Sequence, residues 1–252
     1  MAIIICVDIG NRNVKTGYFN YEGLLFVEDG FPKEDELRKA EVLIYSSVSD
    51  KKLKNLQSLL ESASFSGKVL RVKPQATGLK VSYKKPEQLG DDRTAFAFHI
   101  WKKLGHGLGI DAGTFINIEW VSGGTHYPLV IFPGIKILQE CFKKGERLKD
   151  LEFNQLFFTG HAKFGFPNFS FSLMNSWIPH SSEECMGLGL LLSLKGLINE
   201  VVAMTKETNV IFTGGDGLFL KKLLGDNGVY EKDAVLLGLY EYYTASVQDS
   251  KL

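Results

Sequence analysis

The sequence predicts an α/β fold built from two similar halves, residues 1–106 and 107–252, with a cleft between them. Each half opens on an apolar strand that ends on an aspartate and a glycine turn, in "VDIGN" and in "IDAGT". After each of these strands, short apolar runs alternate with helical patterns, which is typical of α/β domains. Because the same plan begins twice, at Asp8 and at Asp111, we interpret the chain as a duplication.

The first half is predicted to contain both strands and helices in alternation. Apolar runs bounded by turn residues indicate strands at 3–7, 15–20, "EGLLFVED", "EVLIYSSV" and "KVLRVKP". The polar stretch "KEDELRKA" is predicted to be a helix. A second helix, "SDKKLKNLQSLLESA", has Ser49 as its N-cap and leucines at helical spacing, and we assign its lysines to the solvated face. A third helix is expected to begin after Gly90 and to end at Gly105.

The second half repeats the strand–turn–strand opening. "LGIDAGTFINIEWV" predicts two strands around a turn, and "HYPLVIFPGI" predicts a third. Helices are expected at "PGIKILQECFKKG", at "SSEECMGLGLLLSLKGLINEVVAMT" and at about 234–247, because their apolar residues recur at helical spacing. "NVIFTGGDGLFLKKLLG" predicts a strand, a glycine turn and a helix.

The composition favours a small-molecule enzyme. The 252 residues are 44% hydrophobic, and 29 basic residues balance 29 acidic ones, so we expect a real core and no broad nucleic-acid surface. The three cysteines lack metal-site spacing and indicate a reducing compartment. Because no signal peptide and no apolar run of about 20 residues is evident, we expect a cytoplasmic protein without a membrane span. The final Ser-Lys-Leu matches a peroxisomal address, which we interpret as chance.

The two Asp-x-Gly turns are candidates for binding nucleotide phosphates. Glycine lets a turn bring its backbone N–H groups against phosphate oxygens. In the first turn Asn11 and Lys15 add a donor and a positive charge, and Asp8 suits a hydrated Mg²⁺. The plain alternative is a β-hairpin with polar turn residues, but two such turns in corresponding places favour phosphate binding. A third glycine turn, "FTGGDG", offers a flat surface for adenosine or, more simply, a tight strand–helix connection.

An acid pair and an arginine follow Gly90 at a predicted helix start. The plain interpretation of Asp91 and Asp92 is helix capping, because the helix dipole stabilises acids there. Together with Arg93 they exceed what capping needs. One carboxylate could accept a hydroxyl proton while Arg93 binds an anionic substrate. From its place at a helix start, Asp92 is expected to stay ionised and therefore to be a weak base.

These motifs, in this order, resemble those of type III pantothenate kinases, which belong to the acetate-and-sugar-kinase/actin superfamily. "DIGNRNVK" is similar to the family's D-x-G-N-T-x-x-K, and "YKKPEQLGDDR" to Y-x-N-P-x-x-x-G-x-D-R. "DAGT", "PGI", "SSEECMGLG" and "TGG" resemble the remaining motifs. The resemblance covers nearly the whole chain. It implies a duplicated ribonuclease-H-like (actin-like) fold and ATP-dependent phosphorylation of pantothenate, the first step of coenzyme A synthesis.

The resemblance also implies roles for residues. ATP would be bound by Asp8, Gly10, Asn11, Arg12, Asn13, Lys15 and Thr114. A monovalent cation, K⁺ or NH₄⁺, would lie at Asp111. Pantothenate would meet Tyr83, Gly90, Asp91, Asp92, Arg93 and Ser182, with Asp92 as the proton acceptor. The family implies a homodimer with its active sites close to the dimer interface.

The chain departs from the family pattern at several positions. Arg12 replaces the motif threonine, Lys85 replaces an asparagine, and Phe115 stands where a small residue is common. Ser182 replaces a threonine and keeps the hydroxyl. Two alternatives therefore stay open: a non-catalytic relative that acts as a regulatory or interaction protein, and a kinase for another small hydroxy acid. Retention of Asp92 and Arg93 favours catalysis, because a scaffold needs neither.

Overall fold

The computed structural model describes residues 3–146, 148 and 178–249 and contains two β-sheets. The first sheet has the strand order β3-β2-β1-β4-β5. Strand β1 is antiparallel to β2 and parallel to β4. Its strands are β1 (Ile3–Ile9), β2 (Val14–Asn20), β3 (Gly23–Asp29), β4 (Ala40–Ser47) and β5 (Lys68–Arg71).

The second sheet repeats this plan with one added edge strand. Its order is β11-β10-β7-β8-β9-β6, with β7 antiparallel to β8 and parallel to β10. Apart from β6, each sheet therefore has two antiparallel hairpins followed by two parallel strands, which confirms the predicted duplication. The strands are β6 (Lys80–Val81), β7 (Gly107–Ala112), β8 (Phe115–Ser122), β9 (Thr125–Pro133), β10 (Val210–Thr213) and β11 (Val229–Tyr230).

The helices agree with the predicted positions, and one of them is much shorter than predicted. In "KEDELRKA" a single turn, α1 (Glu34–Leu37), is helical. Ser49 caps the second helix as predicted, and the third runs between Gly90 and Gly105. The other helices are α2 (Asp50–Ser62), α3 (Asp91–Leu104), α4 (Ile135–Phe142), α5 (Ser182–Thr205), α6 (Gly217–Leu223) and α7 (Ala234–Asp249).

Helices α3 and α7 pack against each other and join the two halves. Helix α7 also contacts β1, β2 and β4 of the first sheet, although it is the last element that the structure describes. Helix α3 contacts β7 and β8 of the second sheet. At Gly238 a methyl group would collide with the backbone oxygen of Ala95, so the absence of a side chain permits this close approach. The boundary between the two predicted halves, at residues 106 and 107, stays a prediction.

Helix α5 is the most apolar helix that the structure describes. By length and composition it could cross a membrane, although the core helix of a soluble protein passes the same test. One face, with Leu190, Leu194 and Ile198, is buried in the core of the second sheet. This face of the helix therefore has a structural role in the core of the second sheet.

A buried histidine links α3 to α7 and to the segment after β11. His99 Nδ1 lies 2.9 Å from Glu241 Oε2, and its Nε2 lies 2.8 Å from Glu231 Oε2. Lys103 Nζ pairs with the same Glu231. Burial alone lowers the pKa of His99, but the hydrogen bonds and charges of Glu241 and Glu231 outweigh it, so the pKa is raised.

We expect His99 to stabilise the protein most at acidic pH. A group whose pKa is raised by folding contributes fully below its unfolded pKa, here about 6.5, and the contribution is lost as the pH rises through the folded value. The difference in unfolding free energy between the wild type and His99→Gln should therefore shrink as the pH rises. Denaturant titrations from about pH 5.5 to 9 measure this difference in free energy. The control is His180→Gln, because His180 is exposed. A difference that does not change with pH would contradict the buried imidazolium.

Candidate active site

The two Asp-x-Gly turns lie on one cleft between the two sheets. Asp8 is near the end of β1 and Asp111 is near the end of β7, the corresponding places in the two halves. The cleft has about 740 Å³ of empty space, part of it open to solvent. Nine of the predicted site residues line it: Asp8, Gly10, Asn11, Arg12, Asn13, Lys15, Asp92, Asp111 and Thr114.

Strand pairing positions the first carboxylate. Asp8 faces Ser46 across the parallel pair β1–β4, and Ser46 Oγ donates to Asp8 Oδ1 at 2.7 Å. Asp8 is also opposite Lys15 on the antiparallel strand β2. Lys15 Nζ lies 3.3 Å from Asp233 Oδ1, just before α7. Burial raises the pKa of Asp8, while Ser46 and Lys15 act against that rise.

The carboxylate of Asp92 lies between the two turns, at the first turn of α3. A methyl group at Gly90 would lie 2.5 Å from Asp92 Oδ1, so the glycine leaves room for this carboxylate. Burial and the charge of Asp8 raise the pKa of Asp92 to about 7, although the Arg93 backbone N–H donates to Asp92 Oδ1 at 2.8 Å. The raised pKa contradicts the expectation, based on the helix start, that Asp92 stays ionised and is a weak base. A pKa near neutrality suits a general base better.

The third glycine turn packs directly against Asp111. A methyl group at Gly214 would lie 2.5 Å from both Asp111 Oδ1 and the Ala112 oxygen, and the φ angle of Gly214 is +83°. Burial, Asp92 and Asp8 together raise the pKa of Asp111 to about 8, and Lys15 acts against this rise. Gly214 and Gly215 line the same cleft, so the structure brings all three turns together.

The donor set of the cleft fits cations. Asp8 and Asp92 are among the charges that raise the pKa of Asp111, and Asp8 raises that of Asp92. Bound cations would offset this repulsion, and carboxylates are the ligands that Mg²⁺ prefers in proteins. Among the described residues no group of three or more His, Cys, Asp or Glu side chains is arranged as a metal site on its own. Phosphate oxygens and water would therefore have to complete the coordination of Mg²⁺.

The two neighbours of Asp92 are engaged in the protein interior. Asp91 Oδ2 accepts from Arg71 Nε at 2.7 Å and from the Ser47 backbone N–H at 3.1 Å. Arg93 is 7% exposed, and its Nε donates to Glu119, which is fully buried. His126 Nε2 lies 2.6 Å from the other oxygen of Glu119. Neither Asp91 nor Arg93 lines the cleft.

The remaining predicted substrate residues lie outside the lining of the cleft. Gly90 contributes through the room it leaves for Asp92. Tyr83 is 37% exposed in the loop that follows β6. Ser182 is the exposed first residue of α5, and its neighbour Ser181 provides the N-cap by accepting from the Glu184 backbone N–H. The roles of these residues toward pantothenate stay predictions.

The structure also brings together residues that the sequence did not indicate. Lys52, assigned above to the solvated face of α2, donates to the backbone oxygens of Gly10 and Asn11, so that assignment was wrong. Glu119 and Asp233 are the partners of Arg93 and Lys15. These pairs connect distant parts of the chain, and no local pattern signals them.

Arg12, the main departure from the family motif, lies where the two halves face each other across the cleft. Its Nη2 is 3.8 Å from Glu140 Oε1 on α4, and both side chains are largely exposed. Such a pair contributes less than about 1 kcal/mol and gives way readily to a phosphate. Arg12 is therefore available to bind an anion in the cleft.

We expect Arg12→Ala to raise the KM for ATP by about 3- to 10-fold, because one charge-assisted contact to phosphate is lost. Steady-state kinetics with varied ATP measures this change. Arg38→Ala is the control, because Arg38 is an exposed arginine paired with Glu34 on α1. Higher activity of Arg12→Thr would show that Arg12 obstructs the site. Unchanged ATP kinetics in both Arg12 variants would place Arg12 outside it.

Comparison with solved structures shows the fold. A Campylobacter jejuni protein described as a conserved putative Baf family transcriptional activator superposes with a TM-score of 0.64 over 97% of this chain and 99% of that one, at 19% identity. A putative N-acetylmannosamine kinase from Listeria monocytogenes superposes with a TM-score of 0.55 over 97% of this chain and 99% of its own, at 14% identity. Together with the repeated sheet plan, these likenesses confirm the duplicated ribonuclease-H-like fold.

Comparison of sequences shows the family. The chain is 28% identical to a type III pantothenate kinase of Marinomonas sp. over 88% of this chain and 87% of that one. It is 30% identical to the Fervidobacterium nodosum enzyme of the same name over 63% of this chain and 58% of that one. The profile of the type III pantothenate kinase family matches residues 4–204. This chain therefore belongs to the type III pantothenate kinase family.

Proposed function

We propose that this protein phosphorylates pantothenate with ATP to give phosphopantothenate, the first step of coenzyme A synthesis. One observation carries the proposal: two phosphate-type turns and a carboxylate with a near-neutral pKa line a single cleft. A phosphoryl-transfer site needs a charged cradle for the nucleotide and a base beside the acceptor hydroxyl. The family membership supports the same reaction.

In the proposed reaction the turn at residues 10–13, Lys15 and Thr114 hold the phosphates of ATP. The hydroxyl oxygen of pantothenate forms a bond to the γ-phosphorus, the bond from that phosphorus to the bridging oxygen breaks, and ADP leaves. Asp92 accepts the hydroxyl proton. Burial, the largest cause of its raised pKa, makes Asp92 a stronger base than an exposed aspartate.

Cations complete the proposed site. Asp8 would hold a hydrated Mg²⁺, and Asp111 would hold K⁺ or NH₄⁺. When bound, these ions neutralise phosphate charge. Lys15 lowers the pKa of both Asp8 and Asp111 and shares that role from the protein side.

Substrate contacts and assembly extend the proposal. We assign pantothenate to the region of Tyr83, Gly90, Asp91, Arg93 and Ser182, on the basis of the motif resemblance. In this arrangement Arg93 acts through its buried pair with Glu119, which fixes the start of α3 and so the position of Asp92. We further propose a cytoplasmic homodimer.

A coupled assay that records ADP release tests the function. The purified protein is expected to release ADP from ATP and Mg²⁺ in the presence of pantothenate and not in its absence. The same assay with other small hydroxy acids tests the alternative of a different acceptor. A folded protein that turns over no acceptor would support the other alternative, a regulatory relative. The replaced motif residues Arg12 and Lys85 are the observation in favour of that second candidate.

The cation at Asp111 has its own test. We expect higher activity in K⁺ or NH₄⁺ than in Na⁺, and we expect Asp111→Asn to reduce the difference, because an amide has no charge to hold the ion. Reaction rates in the three salts at matched ionic strength measure this difference in activity. Asp226→Asn is the control, since Asp226 is an exposed carboxylate paired with Lys221. Equal rates of the wild type in all three salts would exclude a selective site.

A further inference from the structure

A lysine that does not line the cleft binds the turn at residues 10–13, which is called the phosphate turn below. Lys52 Nζ donates to Gly10 O and to Asn11 O, both at 2.9 Å. Lys52 is the third residue of α2, and its backbone N–H donates to Oγ of the N-cap Ser49 at 3.5 Å. The capped helix start therefore fixes the lysine relative to the turn. Lys52 is not among the residues that line the cleft.

Peptide geometry relates these two carbonyls to two amides. In a trans peptide the C=O of one residue and the N–H of the next point in opposite directions. No peptide bond in the described part of the chain is cis. When Lys52 draws the oxygens of Gly10 and Asn11 to one side, the N–H groups of Asn11 and Arg12 point to the other side. Asn11 and Arg12 both line the cleft.

The two amides are free to bind an anion. Within residues 3–146, 148 and 178–249, neither the Asn11 N–H nor the Arg12 N–H donates to another backbone group. Two successive amides that point to the same side form a nest, a backbone arrangement that binds phosphate oxygens. An exposed turn has many other conformations, and each of them would lose this alignment.

We propose that Lys52 is a positioning residue that aligns the amides of the phosphate turn for the phosphates of ATP. This inference rests on the proposed function, because the ligand of the turn is the nucleotide of that reaction. Two charge-assisted hydrogen bonds to carbonyls hold the peptide planes more firmly than water could. Lys52 touches neither the nucleotide nor the acceptor, so it acts through the turn alone.

Loss of the ammonium group is expected to weaken ATP binding by about tenfold, because both peptide planes become free to rotate and one or two amide contacts are lost on average. The KM for ATP should rise by a similar factor, whereas the KM for pantothenate should stay within about twofold, since the turn does not contact the acceptor. A merely structural lysine would lower the melting temperature without separating the two KM values. Lys52→Arg keeps the charge and several donors, so it should recover most of the affinity.

Calorimetric titration of ATP with Mg²⁺ into the full-length protein tests this inference. The variants are Lys52→Met, Lys52→Arg and the control Lys54→Met. Lys54 is exposed on the same helix and, in the described part of the chain, has no ion pair or side-chain hydrogen bond. Thermal unfolding of each variant checks the fold. Should Lys52→Met not fold, Lys52→Gln replaces it, because its shorter side chain is neutral and cannot bridge both carbonyls.

The outcomes separate this inference from the proposed function. About tenfold weaker binding in Lys52→Met, with near wild-type binding in Lys52→Arg and Lys54→Met, is the expected result. Wild-type affinity in Lys52→Met, or equal losses in Lys52→Met and Lys52→Arg, would overturn the positioning role alone. A wild-type protein that does not bind ATP would overturn the proposed function, and the role of Lys52 with it.

Discussion

Replacement of Asp92 by asparagine is expected to lower kcat by about 10²–10⁴-fold, the usual contribution of a well-placed base. Asparagine keeps the shape of the side chain and can still accept the Arg93 backbone N–H, but it cannot take up the hydroxyl proton. ATP affinity should change little, because the phosphates are bound by the two turns. Steady-state kinetics with saturating pantothenate, together with calorimetric ATP binding, measure both quantities.

Asp91→Asn is the matched control for this experiment. Asp91 is the adjacent carboxylate on the same helix turn, but it is paired with Arg71 and does not line the cleft. We expect its replacement to lower thermal stability and to reduce kcat by less than about tenfold. If Asp91→Asn abolishes turnover and Asp92→Asn does not, the base is the other carboxylate. If neither variant affects kcat, neither carboxylate is the base.

Replacement of Glu119 by glutamine is expected to destabilise the protein by about 3–5 kcal/mol. Glu119 is fully buried and accepts from Arg93 Nε, and Arg93 is only 7% exposed. Glutamine fills the same volume but leaves the guanidinium buried without a counter-ion, which is the costly change. Urea unfolding at neutral pH measures the difference in free energy.

Two further variants test whether the unpaired buried charge causes the expected loss of stability. Glu34→Gln removes a carboxylate from the exposed pair with Arg38 and should cost less than about 1 kcal/mol. The double variant Arg93→Met with Glu119→Leu removes both charges of the pair and should recover part of the stability lost in Glu119→Gln, although His126 also loses its contact with Glu119. If Glu119→Gln costs no more than Glu34→Gln, the Arg93–Glu119 pair does not stabilise the fold.

Features with local causes could be predicted from the sequence. The bounds of α3 follow from Gly90 and Gly105, because glycine favours the cap positions at which a helix begins and ends. The Ser49 cap is likewise decided within three residues. The two-residue strands β6 and β11 were not predicted, because β6 forms only where β9 is available and β11 only where β10 is. An isolated stretch of that length has no pattern of its own.

The site was predictable as a set of motifs but not as a network. Lys52 contacts residues about 40 positions away, and Lys15 contacts Asp233 at the far end of the chain. Nothing next to these lysines in the sequence indicates such partners. The raised pKa of Asp92 has the same origin. The helix start alone favours the ionised form, whereas burial beside Asp8 favours the protonated one, and burial prevails.

Mass spectrometry of the reaction product tests directly whether this protein phosphorylates pantothenate. Wild-type protein, ATP, Mg²⁺, K⁺ and pantothenate are incubated together, and the product is compared with that of Asp92→Asn at equal protein concentration. We expect phosphopantothenate to accumulate in step with ADP in the wild-type reaction and to be nearly absent with Asp92→Asn. A folded wild-type protein that binds ATP but leaves pantothenate unphosphorylated would contradict it.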